Sequence, residues 1–273
     1  MNRSARQILA WVVVVWCLAP FLWQIATSLQ TDAEITAVPT TYLPTHPTGE
    51  HYRALFERKP FARYLWNSFL ISSVSTAACL AVSAMAAYAI ARLKVRGAKL
   101  ILCSLVAISL FPPIIFFFPL YEMVRFTGTA NSPIALIIPY ITFNLPFTIL
   151  VLTAFFRSVP MEIEEAAKVD GLSRWQTLTR IVLPLSAPAL ATTAILVFIF
   201  CWNEFLLALT FMTADDSKTV TAGIASLSGG SQFEVPWGAI SASVVVSTLP
   251  LILLVLIFQR RIILGLTSGA SKG

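Results

Sequence analysis

Apolar residues fill six long stretches of this chain, and polar residues collect between them. The stretches run approximately over Ala10–Leu29, Tyr64–Ala91, Lys99–Tyr121, Pro133–Phe156, Pro188–Phe211 and Trp237–Gln259. Each holds the roughly 20 residues that an α-helix needs to cross a hydrocarbon core about 30 Å thick. The second is longer than a crossing requires and is expected to tilt or to continue past the bilayer. The pattern predicts an all-α polytopic membrane protein of six transmembrane helices in one domain, 1–273. The polar segments reach only about thirty residues, too short for a soluble core of their own.

Composition agrees: 57% of residues are hydrophobic and 12% charged, with mean hydropathy +0.79. The basic residues are distributed unevenly, and their bias orients such a protein. Arg3 and Arg6, then Arg92, Lys94, Arg96 and Lys99, then Arg157, Lys168, Arg174 and Arg180, then Arg260, Arg261 and Lys272 fall on one side of a six-helix layout. Only Arg53, Arg58, Lys59, Arg63, Arg125 and Lys218 fall on the other. Both termini and the 157–187 loop are therefore expected to be cytoplasmic. The same bias explains the net charge of +6 without a nucleic-acid partner. The first apolar run is long and lacks a clear small-x-small cleavage site, so it reads as a retained anchor.

Helix two is rich in small residues, among them Ser72, Ser75, Ala78, Ser83 and Ala87. In lipid, helices associate by close van der Waals contact that such residues permit, so this helix is expected at the bundle centre. Helix three carries Pro112, Pro113 and Pro119, and helix four Pro139 and Pro146; each proline frees a backbone carbonyl that protein or water must satisfy. The segment Gln30–Arg63 is rich in proline at first (Pro39, Pro44, Pro47), which disfavours regular structure. It then offers Gly49–Phe56 as a short helix, either lying on the membrane or forming a solvated cap. Cys17, Cys79, Cys103 and Cys201 all sit inside predicted helices and read as packing residues. His46 and His51 lack a ligand cluster, so no metal site is expected.

The 157–187 loop is too charged for lipid and too apolar for a plain linker. Pro160 suits a helix start. Glu162, Glu164 and Glu165 then lie at the positive end of the helix dipole. Asp170-Gly171 ends the helix, since glycine takes the left-handed cap without strain. Ser173 and Gln176 have the spacing of a capping box that opens a second helix, running to Pro184. The expected result is two short helices with a corner at Gly171. Ile163, Ala166, Ala167 and Asp170 are expected along one low-profile face, suited to insertion in a partner's groove.

The fixed positions Glu165-Ala166-Ala167, Gly171, Ile181, Leu183 and Pro184 reproduce a Glu-Ala-Ala, three residues, Gly, nine residues, Ile-x-Leu-Pro pattern. That pattern resembles the cytoplasmic coupling loop of the permease subunits of ATP-binding-cassette (ABC) importers. Asn67-Ser68, the run Ala86-Ala87-Tyr88-Ala89-Ile90-Ala91-Arg92, Trp202-Asn203-Glu204-Phe205 and the tail 265–273 are similar to the carbohydrate branch of these permeases, the tail to the smaller permease of the maltose transporter family. The resemblance implies the type I importer permease fold in a bacterial or archaeal cytoplasmic membrane. The chain would be half of a twelve-helix pathway, paired with a second related permease. Two ATPase subunits would carry ATP and Mg, and an extracytoplasmic binding protein would deliver sugar. It implies coupling roles for Glu164, Glu165, Ala166, Ala167, Asp170, Gly171, Ile181, Leu183 and Pro184. It places the tail (Gly265, Leu266, Thr267, Gly269, Lys272) toward the ATPases, and it lets the Thr213–Pro236 loop probe the binding protein's sugar cleft; a flexible connector is the alternative for that loop. The sequence has no G-x-x-x-x-G-K-[ST] phosphate loop, so this chain is expected to bind no cofactor and to hydrolyse no ATP by that chemistry.

Glu204 is the acid placed deepest in any predicted span, where a charge costs about 2.5–3.5 kcal/mol on insertion scales. Tyr140, Phe143, Asn144, Trp202, Asn203 and Glu204 are candidate pathway residues, through stacking or hydrogen bonding to sugar. The alternative is that Asn203 and Glu204 hold neighbouring helices together. Within the ABC class, glycerol phosphodiesters or amino acids are alternative cargoes. A secondary transporter would need an intramembrane ion relay, for which Glu204 alone qualifies.

Overall fold

The computed structural model describes the backbone of residues 3–230 and 235–270, and the side chains of 4–228 and 235–259. All of its regular structure is helical. The helices are α1 (Arg3–Leu29), α2 (Asp32–Ile35), α3 (Glu50–Arg58), α4 (Phe61–Arg92), α5 (Ala98–Ser109), α6 (Phe117–Thr127), α7 (Ile134–Ser158), α8 (Met161–Val169), α9 (Arg174–Thr177), α10 (Leu183–Leu185), α11 (Ala187–Asn203), α12 (Leu206–Phe211), α13 (Val220–Ala225) and α14 (Trp237–Ala270). Four of them, α1, α4, α7 and α14, are long and apolar enough to cross a membrane; counting each of two bent pairs as one span raises the number to six.

The bends are where the structure departs from the sequence reading. The third stretch, 99–121, is not one helix: α5 and the segment Pro113–Thr127 meet at 88°. The break falls at Pro112-Pro113, which supply no N–H to continue α5. Pro119 sits in the first turn of α6, where that loss costs nothing. The second bent pair is Arg174–Leu185 with Ala187–Asn203, which meet at 80° ahead of the fifth stretch; that stretch, 188–211, is itself interrupted. Its helix ends at Asn203, and α12 starts at Leu206 after an extended Glu204. By contrast α7 runs through Pro139 and Pro146.

α4 spans 32 residues, or about 48 Å at 1.5 Å per residue. It packs along α7 and against α11 and α13, and so lies at the centre. Its buried positions include Ser68, Ser72, Ser75, Thr76, Cys79, Ser83, Ala84 and Ala87, the small residues that let neighbouring backbones approach. α1 packs on α14 and α3 at the periphery.

The C-terminus of α1, α3 and the start of α14 meet at one end of the bundle. The Ser28 and Tyr52 hydroxyls bond at 2.7 Å there, and the His51 ring fills the space beside Gly238. α3 buries His51 and Leu55 against protein. The C-termini of α4 and α7 meet α8 at the other end.

The strap 30–48 has little helix, as its prolines predict, and is tied instead by Glu34. The Glu34 carboxylate accepts from the backbone N–H of Thr31 (3.1 Å), Thr45 (3.1 Å) and His46 (3.0 Å) and from the Thr45 hydroxyl. The Thr45 hydroxyl first, and then these amides, pull its pKa from the ordinary 4.5 to about 2. A depressed carboxylate stabilises the fold fully above its unfolded value, and this contribution disappears as pH falls through the folded value. Protection of the Thr45 and His46 amides from hydrogen exchange is therefore expected to hold at pH 5 and to fade from pH 4.5 down to about 2. Thr45→Ala should move that loss to higher pH.

Candidate functional site

α8 begins at Met161 with Pro160 as its cap, and Glu162 and Glu164 in its first turn. Its end is a two-bond glycine stop. The Gly171 N–H donates to the Lys168 carbonyl at 3.1 Å, and the Leu172 N–H to the Ala167 carbonyl at 3.0 Å. Gly171 has φ +80°, while a Cβ there would meet nothing within 4 Å. Backbone conformation, not space, is what calls for glycine. Ser173 and Gln176 form the expected reciprocal cap, at 3.3 and 2.8 Å. After α9 the chain widens into a π-turn over Leu178–Val182 and enters α10. The wider turn accommodates Pro184, which cannot donate to a carbonyl one turn back.

The faces of α8 are not arranged as the spacing suggests. Glu164 and Ala167 point inward and are buried; Glu162, Ile163, Glu165, Ala166, Val169 and Asp170 are exposed. Ala167 therefore leaves the outward face on which it was expected beside Ile163, Ala166 and Asp170. Val169, 88% exposed, and Trp175 of α9 are exposed apolar residues on either side of the Gly171 corner. Farther on, Leu178 and Val182 pack with Ala84, Ala87, Tyr88, Leu152 and Phe156. Leu183 lies against that cluster, Ile181 is half-buried and Pro184 is exposed.

Glu164 forms an ion pair with Arg92, Oε1 to Nε at 2.7 Å, with both side chains about as buried as core residues (4% and 5% exposed). Its Oε2 accepts from the Tyr88 hydroxyl at 3.1 Å. The Arg92 Nη2 donates to the carbonyls of Phe156 and Val159 at the end of α7. A buried charge pair persists when further hydrogen bonds satisfy its remaining groups, as here. Sequence reasoning missed this pairing. The signal was present in two pieces, Tyr88 and Arg92 one turn apart on α4 and a second acid beside Glu165, but nothing in the sequence joined them.

Of the pathway candidates, the structure brings Tyr140 and Glu204 together. The Tyr140 hydroxyl donates to Glu204 Oε2 at 2.8 Å. The N–H groups of Leu207 and Ala208 donate to the two carboxylate oxygens at 2.9 and 3.1 Å. Glu204 thereby caps α12, which accounts for the break in the fifth stretch. Asn144 is buried and donates to the Tyr140 carbonyl at 2.8 Å. Trp202 lies elsewhere, buried and stacked on Phe198 at 5.6 Å. Phe143 meets Phe116. Asn203 is exposed and bonds to Ile199 of its own helix.

The Thr213–Pro236 loop is bound over its first part. Asn131 Oδ1 accepts from the Ala214 N–H at 2.8 Å and the Ser217 hydroxyl at 2.9 Å, and Asn67 Nδ2 donates to the Asp216 and Lys218 carbonyls at 3.0 Å each. Ser68 Oγ accepts from the Val220 N–H at 2.8 Å. Its later part, 231–234, lies outside the described residues, as do Lys272 and the side chains of Leu266 and Thr267 in the tail; of Gly265 and Gly269 only the helical backbone is described. Among the described residues no cluster of His, Cys, Asp and Glu has metal-binding form.

Residues 80–267 match the family model described as binding-protein-dependent transport system inner membrane component. The chain is 41% identical over 272 residues to the sulfoquinovosyl glycerol transport system permease protein SmoH of Agrobacterium fabrum, covering 100% of this chain and 95% of that one. It is 43% identical over 275 residues to the trehalose transport system permease protein SugB of Mycobacterium tuberculosis (99% and 100%). It is 40% identical over 275 residues to the trehalose/maltose transport system permease protein MalG of Thermococcus litoralis (100% and 98%). In fold it is similar to a chain in the crystal structure of a bacterial ABC transporter involved in the import of the acidic polysaccharide alginate, with TM-score 0.79, 21% identity, and 95% and 98% of the two chains covered. A helical bundle that holds a short charged corner outside its apolar core, matched by the family over more than half its length, belongs to the binding-protein-dependent inner membrane components, the permease subunits of ABC importers.

Proposed function

We propose that this chain carries a di- or oligosaccharide, or a related polyol, across a bacterial or archaeal cytoplasmic membrane as one half of a twelve-helix pathway. The observation that carries the reading is the α8–Gly171 corner. Its outward face joins small and apolar residues to acids, while the inward face is anchored by Glu164. The sugar class rests on relatives named for trehalose, maltose and a sulfoquinovosyl glycerol. Residues 1–273 act as one permease domain of six spans, the third made of α5 with the segment Pro113–Thr127 and the fifth of α11, with Arg174–Leu185 belonging to the loop before it. The basic-residue bias favours cytoplasmic termini and a cytoplasmic 157–187 loop. Such an orientation keeps the acidic corner in water, away from an anionic leaflet.

In this reading a second permease completes the pathway, an extracytoplasmic binding protein delivers the sugar, and two ATPase subunits hold ATP and Mg. Glu165, Ala166, Asp170 and Gly171 meet an ATPase subunit. Glu164 and Ala167 hold the corner from within, and Ile181, Leu183 and Pro184 lead from it to α11. The tail residues Gly265, Leu266, Thr267, Gly269 and Lys272 extend toward the ATPases. Closure of the ATPases on ATP draws the corners together, and the paired permeases change from inward- to outward-facing. Tyr140, Asn144 and Glu204 brace α7 to the α11–α12 break beside the path. Most sugar contacts belong to the partner permease.

The test is Gly171→Asp in the reconstituted transporter. An aspartate forced to φ +80° is strained by about 1 kcal/mol and adds a second carboxylate beside Asp170. The complex is expected to assemble, and trehalose uptake to fall about tenfold, the factor that 1.4 kcal/mol represents. Undiminished uptake and uptake-stimulated ATP hydrolysis would refute the coupling role.

A further inference from the structure

We propose that Arg92 and Glu164 are positioning residues which clamp the joint between α7 and α8, so that a force on the Gly171 corner moves α4 and α7 instead of bending the joint. The inference rests on the docking reading above and adds what lies behind the docking face.

The joint is short. Between Ser158 and Met161 stand only Val159 and Pro160, with ψ 130° and 137°; the Val159 N–H closes α7 on the Phe156 carbonyl at 3.3 Å, and Pro160 has no N–H to carry the helix on. α8 itself buries only Glu164 and Ala167, so little apolar contact fixes its direction. The apolar cluster beneath the loop is made by Leu178 and Val182, beyond the corner. What spans the joint is one guanidinium from a third helix. Its Nη2 takes the Phe156 carbonyl before the joint and the Val159 carbonyl within it, and its Nε meets Glu164 after it. Tyr88, one turn back on α4, holds the other carboxylate oxygen. One rigid guanidinium thus holds both sides of the joint, by hydrogen bonds to the two carbonyls and by charge attraction to Glu164, which an apolar contact of the same size does not do. Burial keeps solvent from screening the pair. Glu164 is thereby spent inside the chain, and a partner's basic groups are left to Glu162, Glu165 and Asp170.

The test uses the assembled transporter with spin labels at Lys94, just beyond α4, and Lys168, on the exposed side of α8, after the exposed Cys17 and Cys103 are changed to serine. In the otherwise unaltered chain, one narrow distance distribution is expected, the same with and without ATP and Mg. In Glu164→Gln, which keeps shape and removes the charge, the distribution is expected to shift by several ångström only when ATP and Mg are added. A purely structural role would broaden it equally in both conditions, and that result overturns the inference, as does no change at all. Should Glu164→Gln fail to assemble, Tyr88→Phe keeps the ion pair and is expected to give a smaller ATP-dependent shift; its absence overturns the inference. If the unaltered chain copurifies with no ATPase subunit, the docking reading itself fails, a result distinct from the others.

Discussion

Glu204→Ala should destabilise the protein by about 4 kcal/mol, from one charge-assisted bond and two backbone donors left unpaired, each worth about 1–3 kcal/mol. Three donors converge on this carboxylate: the Tyr140 hydroxyl and the N–H groups of Leu207 and Ala208. Tyr140 is fully buried in the main core cluster, so its hydroxyl has no access to water as a substitute partner. The Thr221 hydroxyl also donates to the Glu204 carbonyl at 2.7 Å, which ties α13 to the same residue. Loss of the cap should therefore loosen α12 and α13 together. Glu204→Gln retains an oxygen for the α12 amides and should cost about 1 kcal/mol, the worth of an ordinary hydrogen bond. Unfolding in mild detergent, followed by near-ultraviolet circular dichroism, separates the three proteins. An alanine variant that melts with the unaltered chain would show that the carboxylate braces nothing.

Gly223→Ala is expected to produce the next largest effect. A Cβ on Gly223 would stand 2.3 Å from Tyr64 Cδ2 and 2.7 Å from Cε2. The Tyr64 ring is 0% exposed and lies edge-on to Phe61 at 6.0 Å, so it has no free volume to turn into. Either the ring or α13 must move, at a cost of about 3 kcal/mol, the upper end of the range for overpacking. The cost should fall largely away in Gly223→Ala combined with Tyr64→Leu, because the clash is between those two groups alone. Equal losses with and without the second substitution, measured by thermal unfolding of the purified chains, would place the strain elsewhere. The consequence for function is local. α13 closes the bound part of the Thr213–Pro236 loop against α4, so transport should be impaired before the bundle is.

How much was legible depended on whether the deciding interaction was local. The corner at Gly171 was readable because a helix stop is written within a few residues: an Asp-Gly step, then Ser173 and Gln176 at cap spacing, all found in place. The central place of α4 was readable from its small residues. The break in the third stretch was half readable. Three prolines announced a disturbance, but only packing decided that Pro112-Pro113 would turn the chain by 88° while Pro139 and Pro146 left α7 continuous. The break at Glu204 carried no local signal, because its cause includes a hydroxyl on another helix, 64 positions earlier.

The division follows from the range of the forces. Hydropathy along the chain determined by itself that this is a membrane helix bundle, and the spacing of its polar residues determined where the Gly171 corner stands and how that corner is capped. Those are properties of a segment against solvent or lipid, or of neighbours within one turn. The tertiary structure alone decided which acid of the Glu164–Glu165 pair turns inward and that Arg92 receives it. It also decided that the Tyr140 hydroxyl reaches Glu204, 64 positions along the chain. Buried charges and hydroxyls choose their partners by distance in space, and inside a low-dielectric bundle those choices are strong, specific and independent of separation along the chain.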